Sequence, residues 1–320
     1  MPVVRLASTN PYLNLAIEEL WLDRADRSGP TLMLWRDDPC VVIGRHQNPW
    51  VECDLRRMRD DSQPLVRRIS GGGAVYHDPG NTNFSFIAPA GQYDQEGQFG
   101  VVIAALAALG IDAWKTGRND IRVGDRKISG NAFRHTRGVS LHHGTLLVAT
   151  DLDRLTAYLT PTAALIETKA TASVRSTVMN LTQARADLTH ELVWDAISAA
   201  FAAQYGPEAA TPAAAVPAAG DPDAGPAAAA LRAEELAGWE WLYGHTPAFV
   251  RRLEMPLPGA SGSATVAVTV RRGVIVAVDG AGARVRDTLV GIRYDRETVR
   301  AAAPEGGDGD LIRRLSEAID

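Results

Sequence analysis

A segment rich in alanine and proline, residues 207–230, divides the 320-residue chain into a long and a short part. Its five prolines, at positions 207, 212, 217, 222 and 226, interrupt any helix that the alanines would favour, and its small side chains have little to bury. We therefore expect an extended or disordered linker between a larger domain, residues 1–206, and a small α/β domain, residues 231–320.

The composition excludes several classes of protein. Hydrophobic residues make up 46% and charged residues 22% of the chain, which is typical of a globular protein and unlike a disordered or fibrous one. The net charge of −5 does not indicate a nucleic-acid or anionic-membrane partner, and no apolar run approaches the roughly 20 residues that cross a bilayer. Since residues 1–20 lack a signal-peptide pattern, we expect a cytoplasmic protein with two buried free thiols, Cys40 and Cys53.

Apolar periodicity alternates between helices and strands. Helical spacing occurs at residues 10–26, 101–110, 151–159 and 190–206, with Asn10 and Thr189 as caps of the first and last of these helices. Short β-branched segments lie between them, and residues 31–36 and 40–47 are interpreted as strand, turn and strand, a pattern that continues over residues 65–89. We expect an α+β fold whose first sheet consists mostly of sequential antiparallel strands.

Three consecutive glycines stand between two strand-like segments in VRRISGGGAVYHD, residues 66–78. The stretch fits neither the phosphate-binding GxxxxGK[ST] loop nor the dinucleotide-binding GxGxxG loop, so a glycine-rich hairpin turn is the simpler interpretation. The neighbours Arg67, Arg68, Ser70, His77 and Asp78 favour a binding site instead, because a backbone without Cβ atoms can approach an anion closely.

Two further stretches are dense in polar residues. GRNDIRVGDRKISGNAFR, residues 117–134, places Asn119 and Asp120 ahead of Lys127, one of only three lysines among 33 basic residues. An exposed strand lysine is usually only solubilising, so the residue type alone does not indicate catalysis. In SLHHGTLLV, residues 140–148, His142 and His143 point to opposite faces of a strand, which predicts one inward histidine rather than a shared metal site.

Three stretches, taken in chain order, closely resemble the lipoate-protein ligase A family: RRISGGGAVYHDPGNTNFSF, then GRND with GDRKISGNAFR, then HHGTLL. The flanking segments LWRDDPCVVIGRHQNPWVEC, SVRSTVMNL and WEWLYGHTPAF agree, so the resemblance covers most of residues 10–205 and resumes at Trp239. It implies a catalytic domain of the biotin-lipoate ligase type, similar to class II synthetases, with a mainly antiparallel sheet and flanking helices. A small C-terminal accessory domain that swings between two half-reactions would follow.

The resemblance also implies a reaction. Such an enzyme joins (R)-lipoate to ATP, with Mg²⁺, as lipoyl-adenylate and releases pyrophosphate. It then passes the lipoyl group to a lysine of lipoyl domains in 2-oxoacid dehydrogenase E2 subunits and of the glycine-cleavage H protein.

Matched residue by residue, the family's motifs imply two adjoining sites with Lys127 as the catalytic cation. The ATP site would comprise Arg68, the backbone of Gly73, Ala74, Val75 and Tyr76, and then Asn119, Asp120 and Lys127, with Asp120 also a Mg²⁺ ligand. The lipoate site would comprise Trp35, Arg68, Ser70, Gly71, Gly72, His77, Lys127, Arg134, His143 and Gly144, with Val42, Ile43 and Gly44 on the early strands. Residues 173–181 would fold over the adenylate, although they could be one more strand, and Trp35 could equally be a core residue.

Three alternative functions remain open. An ATP-independent octanoyl- or lipoyl-transferase of the same fold that formed an acyl-enzyme would need a nucleophilic cysteine, and Cys40 opens a pocket strand. A biotin ligase is less well supported, because its GRGRxGR-type loop is absent. A non-catalytic lipoyl-binding scaffold would not need Arg68, Lys127 and the glycine loop together.

Overall fold

The computed structural model describes residues 2–24, 29–117, 119–136, 138–160, 166–206, 211–212, 225–256 and 263–319. Up to residue 206 the helices are α1 Pro11–Arg24, α2 Pro49–Glu52, α3 Leu55–Asp60, α4 Gln95–Ala108, α5 Leu152–Tyr158 and α6 His190–Tyr205. The strands of this part are β1 Pro2–Arg5, β2 Thr31–Trp35, β3 Cys40–Ile43, β4 Leu65–Arg67, β5 Val75–His77, β6 Asn81–Pro89, β7 Ala113–Lys115, β8 Ile121–Val123, β9 Arg126–Ser129, β10 Asn131–His135, β11 Val139–Leu147 and β12 Ile166–Thr168. After it follow β13 Thr211–Pro212, α7 Pro226–Ala237, α8 Trp239–Leu242, β14 Phe249–Pro256, β15 Ser263–Arg271, β16 Val274–Asp279, α9 Ala283–Leu289, α10 Arg296–Ala301 and α11 Gly307–Glu317.

Local capping determines where the helices begin. The Asn10 side chain accepts hydrogen bonds from the first turn of α1, and the Thr189 hydroxyl accepts one from Leu192 N at 3.2 Å, as the sequence predicts for both caps. Helix α4 begins at Gln95, six residues before the predicted start. Its cap is Asp94, whose carboxylate accepts a hydrogen bond from Gly97 N at 3.0 Å. The apolar periodicity did not predict this start, because the first turn of the helix is polar.

A six-stranded mixed sheet forms the centre of the longer part, in the order β10-β11-β6-β2-β1-β13. The pairs β10–β11, β11–β6 and β6–β2 are antiparallel, whereas β2–β1 and β1–β13 are parallel. One face packs on α4 and α6, and the other packs on α1, which α7 covers in turn. Both faces are therefore buried. This explains why every residue of β6, and every residue of β11 after the first, is buried.

The predicted hairpin of β2 with β3 is wrong, although both strands are present. Strand β2 pairs with β6, and β3 pairs in parallel with β4 and antiparallel with β5, in a separate sheet of order β4-β3-β5. All four residues of β3, CVVI, are buried. A continuously apolar strand is typical of a sheet that is covered on both faces, rather than of a hairpin with one face in solvent. A third small sheet, β7-β8-β9, is antiparallel.

The shorter part packs helices α9–α11 on a sheet of order β12-β14-β15-β16. Strand β12 comes from the longer part, and so does Trp50 of α2. The Trp50 ring packs in this core against Tyr243, Phe249 and Tyr294 in tilted and edge-on arrangements, at ring distances of 5.2–5.3 Å. The two parts of the chain therefore share both a sheet and an apolar core.

Arg67, the last residue of β4, joins the same two parts by hydrogen bonds. It is fully buried, and its guanidinium donates to Gly44 O, Arg45 O and Gln47 O at 2.9–3.2 Å. It also donates to Leu242 O at 2.6 and 2.8 Å and to Thr246 Oγ1 at 2.9 Å.

The predicted linker is partly helical. Residues 226–230 belong to α7, because Pro226 occupies the first helical position, where its fixed φ is favourable and its missing N–H costs nothing. This helix packs on α1, and Ala229 and Leu236 are buried there. Residues 211–212 pair with β1, while residues 207–210 and 213–224 lie outside the described part of the chain, so the domain boundary stays a prediction.

No helix among the described residues is both long enough and apolar enough to cross a membrane. Cys40 and Cys53 are free thiols and both are buried, as the sequence predicts.

Candidate active site

A cavity of about 350 Å³ lies at the meeting point of the sheets and is lined by most of the residues that the motifs indicate. Those residues are Trp35, Val42, Arg68, Gly72, Gly73, Ala74, Val75, His77, Asp120, Lys127, His143 and Gly144. Leu15, Ala132 and residues 171–176 complete much of the wall. A cavity of this size and mixed lining is typical of a small-molecule site.

The glycine loop runs between β4 and β5, which do not pair with each other, so the hairpin interpretation is wrong. Both strands flank β3, and the loop passes over the end of that strand. At this crossing a Cβ atom on Gly44 would lie 2.4 Å from Gly72 O, and Gly72 itself has φ +85°. The backbone therefore has no room for side chains here.

Arg68 holds the glycine loop in place. Its Nη2 donates to Gly71 O at 2.6 Å and Gly73 O at 2.7 Å, and its Nε donates to Ser70 Oγ at 3.0 Å. Burial lowers the pKa of Arg68 to about 10, so the guanidinium remains charged at neutral pH. The guanidinium is thus already engaged by the loop that it shapes.

Lys127 and Asp120 form an ion pair on the cavity wall. The Nζ–Oδ1 distance is 2.8 Å, and the two side chains are 22% and 16% exposed. The Lys127 backbone is held on both sides, since its N–H donates to Thr177 O at 2.9 Å and its carbonyl accepts from Met179 N at 3.0 Å. These contacts fix the strand position from which the ammonium group enters the cavity.

A second cavity, of about 240 Å³, adjoins the first. The two share Lys127, Ala74, Val75, Gly130, Thr145 and residues 173–176. The second is otherwise lined by residues of α5 and its C-terminal end and by Glu52, Tyr76, Ser129, Leu147 and Val178. Lys127 therefore stands in the wall common to two cavities.

Residues 171–176 form a strap over the glycine loop. Ser173 Oγ accepts from Ala74 N at 2.9 Å and from Gln47 Nε2 at 3.0 Å, and Ser173 N donates to the Glu52 carboxylate at 3.2–3.3 Å. The alternative that residues 173–181 are one more strand is wrong, because their strand pairing is limited to one isolated bridge between Lys127 and Val178.

His143 belongs to a buried chain of hydrogen bonds that the sequence did not reveal. Its Nδ1 lies 2.9 Å from Glu18 Oε1, and its Nε2 lies 2.6 Å from Ser70 Oγ. Glu18 is fully buried and also accepts from Ser85 Oγ at 2.5 Å. The available signal was a carboxylate inside the apolar stripe of α1, three residues after Leu15 and four before Leu22.

The prediction of only one inward histidine is wrong. His142 is also fully buried, because helices cover both faces of the central sheet, and it hydrogen-bonds the side-chain amides of Gln98 and Asn131 at 3.1 and 2.9 Å. Burial, with smaller contributions from His143 and Lys115, lowers the pKa of His142 to about 3.

Trp35 and His77 form the apolar end of the cavity. Trp35 is 2% exposed, so it belongs to the core and lines the cavity at once, and its ring packs edge-on against His77 at 6.1 Å. His77 Nδ1 lies 2.8 Å from the buried Asp37 carboxylate.

Some predicted site residues lie behind the wall rather than on it. The Tyr76 ring packs against Tyr158 at 5.7 Å and lines the second cavity, and the Asn119 side chain accepts from Gln95 Nε2 at 3.1 Å. Arg134 donates to Ile69 O at 3.1 Å. Ser70 and Gly71 of the glycine loop, and Ile43 and Gly44 at the end of β3 beneath it, lie outside the lining of the first cavity.

Neither cysteine is an activated nucleophile. Burial raises the pKa of the Cys40 thiol well above its usual range, and the carboxylates of Asp37, Asp38 and Asp78 raise it further. Burial likewise raises the pKa of Cys53.

The family model of the lipoyl protein ligase A/B catalytic domain matches residues 10–202. The chain belongs to this family. It is 38% identical over 312 residues to lipoate-protein ligase A of Psychrobacter cryohalolentis, covering 95% of this chain and 91% of that protein.

Solved structures agree with the family. LipL1 of P. falciparum in complex with lipoate superposes with a TM-score of 0.65 at 25% identity, over 98% of both chains. A lipoate-protein ligase A bound with ATP gives a TM-score of 0.58 at 28% identity, over 74% of this chain and 93% of that one. Ta0514, a putative lipoate protein ligase of T. acidophilum with bound lipoic acid, gives 0.61 at 28% identity, over 76% and 98%.

Proposed function

We propose that this protein is an ATP-dependent lipoate-protein ligase whose central catalytic group is the Lys127 ammonium. The observation that carries the proposal is the position of Lys127, in the wall shared by two adjoining cavities and beside the glycine loop. One cavity would hold lipoate and the other would receive part of the nucleotide, so the reacting carboxylate and α-phosphorus would meet at this lysine.

The lipoate end of the first cavity is the apolar one. Leu15, Trp35, Val42, Val75 and Ala132 line it, and they suit a hydrocarbon tail with a dithiolane ring. His77 and His143 lie along the same wall, and both ring nitrogens of His143 are already engaged by Glu18 and Ser70.

In the first half-reaction, a lipoate carboxylate oxygen attacks the α-phosphorus of ATP. The bond from that phosphorus to the bridging oxygen breaks, and pyrophosphate leaves. Negative charge accumulates on the phosphoryl oxygens in the transition state, where Lys127 and backbone N–H groups of residues 73–76 would stabilise it. An ammonium group suits this position because it is a compact donor that can serve two acceptors at once.

The residues present fit a Mg²⁺ ion that accompanies ATP. Asp120 is a partly buried carboxylate on the cavity wall, and Mg²⁺ in nucleotide enzymes commonly takes one or two carboxylates together with phosphate oxygens. When bound, the ion would supply charge neutralisation at the phosphates.

In the second half-reaction, the ε-amine of an acceptor lysine attacks the lipoyl carbonyl carbon. The bond to the adenylate oxygen breaks, AMP leaves and an amide forms. Lys127 would stabilise the charge that develops on the carbonyl oxygen and on the departing phosphate. We infer that the acceptors are lipoyl domains of E2 subunits and the glycine-cleavage H protein. The structural analysis of a lipoylation system from T. acidophilum, which comprises a bi-partite lipoate protein ligase and its E2 lipoyl domain, supports the first of these.

An acyl-enzyme transferase is less well supported, because the raised pKa of Cys40 opposes formation of the nucleophilic thiolate.

One assay separates the alternatives. A ligase releases pyrophosphate from ATP only when lipoate is present, and an acceptor domain then gains the mass of one lipoyl group. Acceptor modification without ATP would indicate a transferase instead, and binding of lipoate with neither reaction would indicate a scaffold.

A further inference from the structure

A cluster of three side chains at the apolar end of the first cavity performs none of the chemical steps proposed above, although one of them, His77, lines the cavity. Cys40 begins β3 and His77 ends β5, and the two are direct partners in the antiparallel register. Side chains of such a pair project on the same face of the sheet. Asp37, in the turn before β3, reaches the same point, so the fold places a thiol, an imidazole and a carboxylate together.

These three side chains are isolated from solvent. Asp37 is 1% exposed, Cys40 is 0% exposed and His77 is 4% exposed. One donor atom from each lies within 4.8 Å of the donor atoms of the other two. Tetrahedral coordination of Zn²⁺ by nitrogen, sulfur and oxygen needs donor separations of about 3.3–3.5 Å, so movements of an ångström or so would close the site.

The hydrogen bonding of the cluster is incomplete. Asp37 Oδ2 pairs with His77 Nδ1 at 2.8 Å, and Asp37 Oδ1 accepts from Asn14 Nδ2 at 2.9 Å. The other ring nitrogen, His77 Nε2, is buried and has no hydrogen-bond partner among the described residues. This nitrogen lies on the side of the ring away from Asp37, so His77 would bind a cation through Nδ1, and the cation would replace the proton that Nδ1 shares with Asp37 Oδ2.

The local charge also favours a cation. A divalent cation bound to one thiolate, one carboxylate and one neutral imidazole gives a site with no net charge, which a buried position tolerates best.

We propose that Asp37, Cys40 and His77 form a binding site for one divalent transition-metal cation of the Zn²⁺ type. The mixed sulfur, nitrogen and oxygen donors select this class and exclude Mg²⁺ and Ca²⁺, which take oxygen ligands. His77 is the member of the three that lines the cavity, so the cation enters from that side and its fourth coordination position faces the apolar end of the cavity.

Co²⁺ is the probe that tests the site, because thiolate coordination gives a near-ultraviolet charge-transfer band. The full-length protein, without an affinity tag, is freed of metal with a chelator and titrated with Co²⁺. We expect one equivalent to bind with a thiolate band and visible tetrahedral bands, and Zn²⁺ to displace it. The proposal is overturned if the wild-type protein shows no thiolate band at saturating Co²⁺, whatever the variants do.

Matched variants assign the ligands. Cys40→Ser should remove the thiolate band, Asp37→Asn should weaken Co²⁺ binding at least tenfold, and Cys53→Ser should change neither, since Cys53 lies outside the cluster. Cys40→Ala replaces Cys40→Ser if the serine variant does not fold. A band that survives loss of the Cys40 thiol, or that disappears in Cys53→Ser, contradicts the assignment. Because the readout needs neither ATP nor lipoate, its failure is distinguishable from failure of the proposed ligase function.

Discussion

His142 and His143 are neighbours on β11 with different roles. His143 lies on the cavity wall, where Glu18 and Ser70 fix its ring. His142 points to the opposite face, where its ring lies among those of Phe84, Phe86, Phe99 and Phe133 at 4.7–5.7 Å. An apolar environment of this kind disfavours the charged imidazolium, so His142 is neutral in the folded protein.

The low pKa of His142 predicts a loss of stability in acid. Between about pH 6.5 and 3 the unfolded state binds a proton that the folded state does not, so the free energy of unfolding falls as the pH falls, by up to about 1.4 kcal/mol per pH unit. Urea unfolding at pH 6 and pH 4.5 measures this slope. Wild-type protein should lose more stability over that interval than His142→Gln, and parallel losses would show that His142 is not responsible.

Short contiguous motifs explain which site residues could be predicted. Lys127, Asp120 and the glycine loop lie within recognisable stretches, and the structure brings them to one cavity. Glu18 and Gln47 could not be found in this way, because their partners His143 and Ser173 lie 125 and 126 residues away in the chain. Only the folded sheet shows that these side chains meet.

The glycine loop, β3 and the strap of residues 171–176 form one layered element. The loop passes so close to the end of β3 that two glycine backbones are in contact, and Ser173 then closes the loop from the other side. Three separate segments thus depend on one another's backbone positions.

Gly44→Ala tests this close approach. The added Cβ would lie 2.4 Å from Gly72 O, so the loop must shift, and we expect a loss of about 1–3 kcal/mol in the free energy of unfolding. Gly71→Ala is the matched control, since its Cβ would meet nothing within 4 Å and its φ is not positive. Chemical denaturation of both variants measures the difference, and equal stability would contradict the packing described for Gly44.

Strand existence was easier to predict than strand pairing. Apolar and β-branched runs located β2, β3, β6 and β11, but the sequence pattern is the same whether β2 pairs with its neighbour in the chain or with β6. Three-residue strands such as β12 carry too little periodicity to be assigned to any sheet.

At the scale of the whole molecule, the two parts of the chain are joined more firmly than a linker between independent domains suggests. Strand β12 extends the C-terminal sheet, Trp50 enters its core, and α7 packs against α1. A composition-based boundary could locate the change in residue usage, but not the contacts that cross it.

Arg67→Lys tests the junction. Lysine has three donors in place of a planar fork, so several buried carbonyls from both parts would lose their partners, at a cost of roughly 3 kcal/mol or more. The midpoint of thermal unfolding should fall by about 6 °C or more. Arg252→Lys, at an exposed ion pair with Glu167, should change it little. Equal midpoints for the two variants would show that Arg67 does not hold the parts together.

Lipoate-dependent release of pyrophosphate from ATP by the Lys127→Ala variant tests the central claim most directly. Loss of a transition-state donor of this kind lowers the rate by about 100-fold to 1,000-fold, and we expect that loss with an unchanged melting temperature. Lys169→Ala, at an exposed lysine away from the cavity wall, should release pyrophosphate at the wild-type rate. A Lys127→Ala protein that folds and turns over as fast as the wild type would contradict the account.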